Sequence, residues 1–581
     1  MPGPEPGPAA QIQPLLGPID RPLDYAVPEE LAAISPGALV VIPLGRRKVP
    51  GVVVGRDAPT HAGRLAPIAG AIDAVPLGED MLELASWVAS YYASTPAAAL
   101  RLVLPPGADG PVRVGRDGVW RVRGAPSGDT ALIARAAAGG GSARRREISA
   151  ALAAAGGQLP AAELCRVART TMPTLRRMAE AGQITLGRER RSGLDWFGEP
   201  PPSDEPPLLT AEQDAAVGAI SARLDDGGAL LLHGVTGSGK TEVYLRAILA
   251  ARSRGRSSLV LAPEIALTPQ LLGRLRARLG TGIAVWHSGL APAERAAEYA
   301  RIRDGEVDVV LGARSAVFAP LVDLGLVIVD EEHDASYKQD SAPRYDARRV
   351  AWFRASRAGA ALVYGSATPR PESWHALPRV TLAERADGAA LPRVDLVDMR
   401  TQPAGPISRP LARALRTATD RGEKAIVLMN RRGFALGLLC SGCGWIAGCP
   451  RCDIGLVIHR GPERLSCHHC GHERDLPRRC PECDSSQLMR QGSGTQGAED
   501  ALRELLPSTR IVRLDASTTG GRGDITRLLA EFAEPGGAVL LGTQMVAKGH
   551  DLPDVTVAGV LAADAPLARP DFRAEERTFG L

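Results

Sequence analysis

The sequence predicts a multidomain α/β protein: two parallel-sheet lobes, preceded by a β-rich N-terminal domain and a winged helix, with a cysteine-bound insert in the second lobe. Three observations predict it. At 581 residues the chain exceeds what a single hydrophobic core sustains, since domains average ~150 residues. From Leu208 onward, short apolar runs alternate with helical stretches, as a parallel sheet covered by helices requires. Eight of the nine cysteines fall into four CxxC pairs inside one short stretch.

Composition narrows the function classes. Lys plus Arg number 69 against 65 Asp plus Glu, a net charge of +4, so any nucleic-acid surface is local rather than spread over the molecule. The opening MPGPEPGPAAQIQP has neither a basic n-region nor an apolar h-region, and no run approaches the ~20 apolar residues that span a bilayer. A cytoplasmic protein with no membrane partner is expected.

Residues 1–112 hold β-like runs such as LVVIP and GVVVG and form the β-rich domain. Gly45-Arg46-Arg47-Lys48 between those runs reads either as a phosphate-touching hairpin connection or as a solvated turn. Residues 113–200 turn helical and end in the strand-like QITLGRERR, the order of a winged helix. Thr170, Thr171, Arg176 and Arg177 then fall on or beside its second helix-turn-helix helix, within reach of DNA. A structural spacer is the alternative. Cys165, outside the cysteine cluster, reads as a small buried apolar residue.

The Pro-rich GEPPPSDEPP separates these modules from residues 205–385, the first α/β lobe. There the apolar run ALLLH leads into Gly234, Val235, Thr236, Gly237, Ser238, Gly239, Lys240 and Thr241, a GxxxxGKT loop in its required strand-loop-helix setting. Glycines let backbone N–H groups converge on a phosphate, and the following helix N-terminus adds a favourable dipole. Lys240 is the candidate for the β and γ phosphates of ATP, and Thr241 for Mg²⁺. The carboxylate partner is the Asp330-Glu331-Glu332-His333 cluster after the strand LGLVIV. Asp330 is placed to hold the metal and Glu331 to polarise an attacking water.

Residues 386–436 and 487–581 form the second lobe, and residues 437–486 interrupt it. The insert carries Cys440, Cys443, Cys449, Cys452, Cys467, Cys470, Cys480 and Cys483. Two CxxC knuckles close one four-sulfur site, so eight sulfurs make two structural Zn²⁺ sites. Spacing leaves nested and sequential pairing open. His468 and His469, between Cys467 and Cys470, could replace a thiolate but are expected to face solvent.

The order of these strings carries a resemblance. DEEH after GVTGSGKT resembles the DExH helicases of superfamily two, whose lobes are RecA-like, and APEIALTPQ, HSG, GARSA, GSATP, NRRGF, GTQMVAKGHD and DFRAEER resemble the PriA family of replication-restart helicases. The similarity runs from Asp24 to Leu581. It implies an ATP-dependent 3′-to-5′ DNA helicase that recognises stalled or branched forks and initiates primosome assembly. The implied partners are forked or single-stranded DNA, primosome proteins, the replicative helicase loader and single-stranded DNA-binding protein. It also implies that Gln213 reads adenine, that Ser366 and Thr368 couple the lobes, and that Thr543, Gln544 and Lys548 lie near DNA or nucleotide. The family's zinc pairing is nested, Cys440, Cys443, Cys480 and Cys483 at one metal and the other four at the second, and its insert engages partner proteins.

Three departures accompany the resemblance. The chain stops at Phe579-Gly580-Leu581, before the family's QVAGRAGR segment and C-terminal domain, and loss of an arginine at the γ-phosphate would cripple hydrolysis. This raises the alternative of a non-translocating DNA-binding scaffold for primosome loading. The loop after DEEHDASYKQ keeps Tyr337 and Tyr345 but has Ala342-Pro343 where the family carries an aromatic, so reduced base stacking is expected. In the N-terminal domain, which resembles the family's module for a 3′ DNA end, Asp24 and Tyr25 persist while the expected Lys is replaced near Ala66.

Overall fold

The computed structural model describes residues 8–16, 19–56, 65–115, 118–122, 131–136, 143–154, 158–189, 205–263, 269–280, 282–287, 290–403, 405–429, 437–440, 442–451, 456–458, 464–467, 470–491, 495–515, 518, 524–543, 554–568 and 572–580. Contacts divide the chain into two units, the first Met1–Leu267 with Gly273–Gly388, the second Thr268–Leu272 with Ala389–Leu581.

The runs LVVIP and GVVVG become strands Leu39–Leu44 and Arg47–Gly55 of a five-stranded antiparallel sheet, which continues with Ala9–Pro14, Leu23–Ala26 and Gly70–Ala71. Leu44 faces Arg47, so only two residues turn the hairpin, and Gly45 supplies the left-handed φ of 58° that this needs. The turn leaves Arg46, Arg47 and Lys48 exposed, with Lys48 Nζ 4.9 Å from the Trp120 ring. Strands Val112–Val114 and Trp120–Val122 fold back onto this module, where Trp120 Nε1 donates to the Ala69 carbonyl at 3.2 Å.

Helices Glu79–Tyr91 and Pro96–Val103 close the module, and their apolar faces do not turn inward alone. Met81, Leu84, Val88, Leu100 and Val103 belong to one contiguous buried cluster with Leu231, Leu259, Val327 and Leu362 of the first lobe. Tyr299 from that lobe donates a buried hydrogen bond to the Val103 carbonyl at 2.9 Å. The N-terminal module and the first lobe thus share a core.

Between them in sequence, helices Ala143–Ala154, Ala161–Val167 and Met172–Glu180 pack with a three-stranded antiparallel sheet ordered Ile184–Glu189, Ala131–Ala136, Gln158–Pro160. Ile148, Leu152, Leu164, Leu175 and Met178 fill this small core, and Cys165 packs against it partly buried. Thr171 stands at the N-terminus of the last helix, and Arg176 and Arg177 point outward from it.

The first lobe is a seven-stranded, wholly parallel sheet ordered Ile283–Trp286, Val309–Gly312, Ser257–Leu261, Leu324–Val329, Ala361–Ser366, Gly228–Gly234, Arg379–Leu382. Its central strands are buried on both faces, which is why LGLVIV reads as an unbroken apolar run rather than an alternation. The two strands that end in the glycine loop and the acidic cluster flank Ala361–Ser366. Three candidate loops therefore emerge side by side at the same edge of the sheet.

The second unit holds a four-stranded parallel sheet ordered Arg510–Leu514, Ala538–Gly542, Lys424–Met429, Val555–Leu561. Helix Arg409–Asp420 packs with Leu502 and Leu541 on one side, while Phe532 and Leu540 fill the other. After Met429 the chain leaves for the cysteine insert, closed at its base by the antiparallel pair Gly437–Cys440 and Leu488–Gln491. Thr543 ends the described part of GTQMVAKGHD, and Gln544 and Lys548 lie outside the described residues. No helix among the described residues is long and apolar enough to cross a membrane.

Candidate nucleotide site and cysteine cluster

Gly234 closes its strand, and the loop returns to helix Lys240–Ser253 through two left-handed glycines, Gly237 at φ 82° and Gly239 at φ 81°. Non-glycine residues resist that conformation by ~1–2 kcal/mol each. A Cβ on Gly239 would also collide with Gln213 Nε2, and one on Gly234 with Ser238 Oγ. Gly239→Ala is accordingly expected to weaken nucleotide binding and to lower stability by ~1–2 kcal/mol, read from urea unfolding and fluorescent-nucleotide titration. Lys240 Nζ curls back to donate to the Gly234 carbonyl at 2.9 Å, and Thr241 is half-buried on the first helical turn. The buried Ser238 hydroxyl has no hydrogen-bond partner among the described residues. These are features that a bound phosphate satisfies.

Gln213, the expected adenine reader, stands at the start of the helix that precedes the phosphate loop. Thr210 and Gln213 form a capping box at the start of helix Ala211–Asp226, the Gln213 Oε1 accepting from Thr210 N at 3.0 Å. Its Nε2 donates to the Ser238 carbonyl at 2.9 Å, and the side chain is buried. One amide therefore braces the phosphate loop from behind.

Asp330 follows strand Leu324–Val329 directly, and Tyr244, one turn beyond Lys240 on the same helix face, donates to its Oδ1 at 2.9 Å. Burial, then the neighbouring Glu331 carboxylate, raises the Asp330 pKa to about 6, with Lys240 and Tyr244 opposing. Two neighbouring carboxylates at a strand end fit a divalent cation, which offsets their mutual repulsion. Glu331 has a left-handed backbone, φ 47°. Around it, Glu332 N donates to the Gly365 carbonyl at 3.0 Å, and the Glu332 carboxylate accepts from Arg370 N at 2.7 Å and Ser373 Oγ at 3.0 Å. His333 Nδ1 lies 2.8 Å from Ser366 Oγ, which also accepts from Thr368 N at 3.0 Å. The acidic loop and the GSAT loop are thus one hydrogen-bonded piece of this lobe.

Sequence reasoning missed Tyr244, although its place four residues after Lys240 was a usable signal. It also missed why GSAT begins with glycine: a Cβ at Gly365 would overlap the Tyr244 hydroxyl. Tyr337 and Tyr345 are both buried. Tyr337 donates to the Asp330 and Leu261 carbonyls at 2.6 and 3.0 Å, and Tyr345 packs edge-on against Phe318. Apolar rings beside a sheet edge gain more from burial than from exposure to solvent. Tyr25 is likewise buried with its hydroxyl on the Pro43 carbonyl at 2.9 Å, while Asp24 is half-buried on the edge strand.

In the insert, Cys440, Cys443, Cys480 and Cys483 bring their sulfurs within 4.8 Å of one another, and Cys449, Cys467 and Cys470 form a second such group. Cys452 lies outside the described residues, as do His468 and His469. The grouping is nested, not sequential. Sulfur separations of 3.6 Å for Cys440–Cys483 and Cys443–Cys480, and 3.5 Å for Cys449–Cys470, approach the ~3.8 Å of thiolates around tetrahedral Zn²⁺. Three knuckles repeat one geometry: Gly444, Gly471 and Asp484 take positive φ, and their N–H groups donate to the carbonyls of Cys440, Cys467 and Cys480. The turn aims both sulfurs of each CxxC to one side.

A glycine loop and an acidic cluster on two parallel strands that flank a third, in a chain that also carries a zinc-binding cysteine ribbon, define a DEAD/DEAH-type helicase. Residues 210–376 match the DEAD/DEAH box helicase family, residues 14–105 the 3′ DNA-binding domain, and residues 449–474 the Cys-rich region domain of PriA DNA helicase. The chain belongs to the PriA family of replication restart proteins. It is 37% identical to the replication restart protein PriA of Bacillus subtilis over 97% of this chain and 79% of that one. The Haemophilus influenzae relative is 34% identical over 96% of this chain and 77% of its own length. Among solved structures, RecG bound to a three-way DNA junction aligns at TM-score 0.36 and 19% identity, over 61% of this chain and 38% of that one.

Proposed function

We propose that this replication restart helicase hydrolyses ATP to move 3′-to-5′ along DNA, recognises stalled or branched forks, and initiates primosome assembly. The observation that carries the reading is the Tyr244 bridge, which ties the phosphate-loop helix to the strand-end Asp330. In this reading Lys240 meets the β and γ phosphates, Thr241 and Asp330 hold Mg²⁺, and Glu331 orients the attacking water. Bound Mg²⁺ supplies charge neutralisation at the phosphates. Gly234, Val235, Thr236, Gly237, Ser238 and Gly239 line the phosphates, with Gln213 as brace.

The exposed Arg46, Arg47 and Lys48 hairpin supports DNA contact by the N-terminal module, and Arg176 and Arg177 support the same for the helical module read as a winged helix. Two Zn²⁺ ions are proposed for the insert, at the two sulfur groups with Cys452 completing the second. Primosome proteins, a replicative helicase loader and single-stranded DNA-binding protein are the proposed partners, in the cytoplasm. Lys240→Ala is expected to lower DNA-stimulated ATPase on forked DNA by ~10²–10³-fold and to abolish strand separation. Equal rates for the two proteins would remove the enzyme reading and favour the scaffold.

A further inference from the structure

The N-terminal module is wired to the acidic loop by a specific set of groups. Helix Glu79–Tyr91 lies against helix Ala347–Ala358 of the first lobe, and side chains of both helices join in one pile. Phe353 stacks on Trp87 at 4.3 Å, Trp87 on Tyr91 at 4.8 Å, and the Arg349 guanidinium sits 5.3 Å from Tyr91 and 3.9 Å from Trp352. Each helix contributes residues spaced one turn apart, so neither slides without breaking the pile.

Directly beyond the stack, the Tyr92 hydroxyl accepts from Asp346 N at 3.1 Å and reaches the Asp346 carbonyl at 3.4 Å. Asp346 in turn grips Arg348 through two bonds, from Nε at 2.9 Å and Nη2 at 2.7 Å. The remaining nitrogen of that buried guanidinium, Nη1, donates to the Glu332 carbonyl at 2.7 Å and approaches that of Asp334 at 3.4 Å. Tyr364 holds the Arg348 carbonyl at 2.9 Å. Only a planar fork serves a carboxylate on one edge and a carbonyl on the other.

Glu331 immediately precedes the gripped carbonyl and is held in its left-handed conformation by anchors on Glu332, whose N–H is bound by Gly365 and whose C=O by Arg348. Releasing either anchor frees the Glu331 backbone to relax to an ordinary φ. We propose that Arg348 is a positioning residue for Glu331 and that Tyr92, through Asp346, passes the DNA-end occupancy of the N-terminal module to it. The inference rests on the helicase reading above.

The test measures ATPase of the zinc-loaded chain on two DNAs: a fork with a 3′ hydroxyl end at its junction, and a single-stranded oligonucleotide. Tyr92→Phe removes one hydroxyl and leaves the stack in place. It is expected to keep the melting temperature and the single-strand rate, and to cut the extra stimulation by the 3′-ended fork ~5-fold. Arg348→Ala is expected to lower kcat ~10²-fold on both DNAs with the KM for ATP within about twofold, and Arg348→Lys to recover part of it. If Arg348→Ala does not fold, Asp346→Asn carries the same expectation in milder form. Undiminished fork stimulation in Tyr92→Phe, or an Arg348 variant that raises KM at unchanged kcat, overturns the inference. A parent protein that no DNA stimulates sinks the helicase reading instead, so the two failures are distinguishable.

Discussion

Replacing Cys480 with Ser is expected to unfold the insert while the nucleotide lobe stays folded. The apolar core of the insert is small, centred on Leu438, Ala447, Leu456, Ile458 and Leu465, and Cys449 and Cys467 are themselves part of it. So little burial contributes only a few kcal/mol, whereas structural zinc contributes ~10–16 kcal/mol at neutral pH. The nested arrangement makes the effect larger than one lost ligand. Cys440 lies in the strand that pairs with Leu488–Gln491, so the Cys440 group ties the two ends of the insert together. Losing that metal opens the base. Zinc content by atomic emission should fall by one ion per chain. Hydrogen exchange should lose protection from Gly437 to Gln491 and keep it in strand Leu324–Val329. Unchanged zinc content would show that the Cys440 group holds no metal.

The second large effect is expected at Glu331. Glu331→Gln preserves shape but replaces one accepting oxygen with an amide donor and cannot take a proton, and general-base catalysis is worth ~10²–10⁴-fold. Turnover should fall by that factor while magnesium-ATP still binds, because Lys240, the glycine loop and Asp330 are untouched. Isothermal titration separates the two. An affinity that falls in parallel with kcat would assign Glu331 to ground-state binding instead. Asp330 is a different case: half-buried and bonded to Tyr244, its pKa is raised to about 6 by burial and the neighbouring Glu331 carboxylate.

Much of the site was legible because its chemistry is local in sequence. A phosphate loop needs left-handed glycines at fixed offsets, and Gly237 and Gly239 take those conformations. A metal knuckle needs two thiolates three residues apart, so the CxxC pairs named themselves. Buried parallel strands need unbroken apolar runs, so LGLVIV and ALLLH could be read as neighbours of the chemistry. The carbonyl contacts of Gln213 and Tyr337 and the burial of Tyr345 were not legible, for the opposite reason. Whether an amide or a ring faces ligand or core depends on which carbonyl the tertiary fold leaves within reach, here Ser238, Leu261 and Asp330.

The linear chain on its own therefore determined the two parallel lobes, the phosphate loop, the acidic cluster and the zinc knuckles, since each depends on residues within one turn or one strand of each other. Tertiary structure alone decided three further matters: the nested order of the sulfurs, the Tyr244 bridge, and the shared core that binds helices Glu79–Tyr91 and Pro96–Val103 to the first lobe. Those contacts join segments tens to hundreds of residues apart. Their partners are selected by shape and unsatisfied polar groups once the chain has collapsed, and spacing along the chain carries no record of that selection.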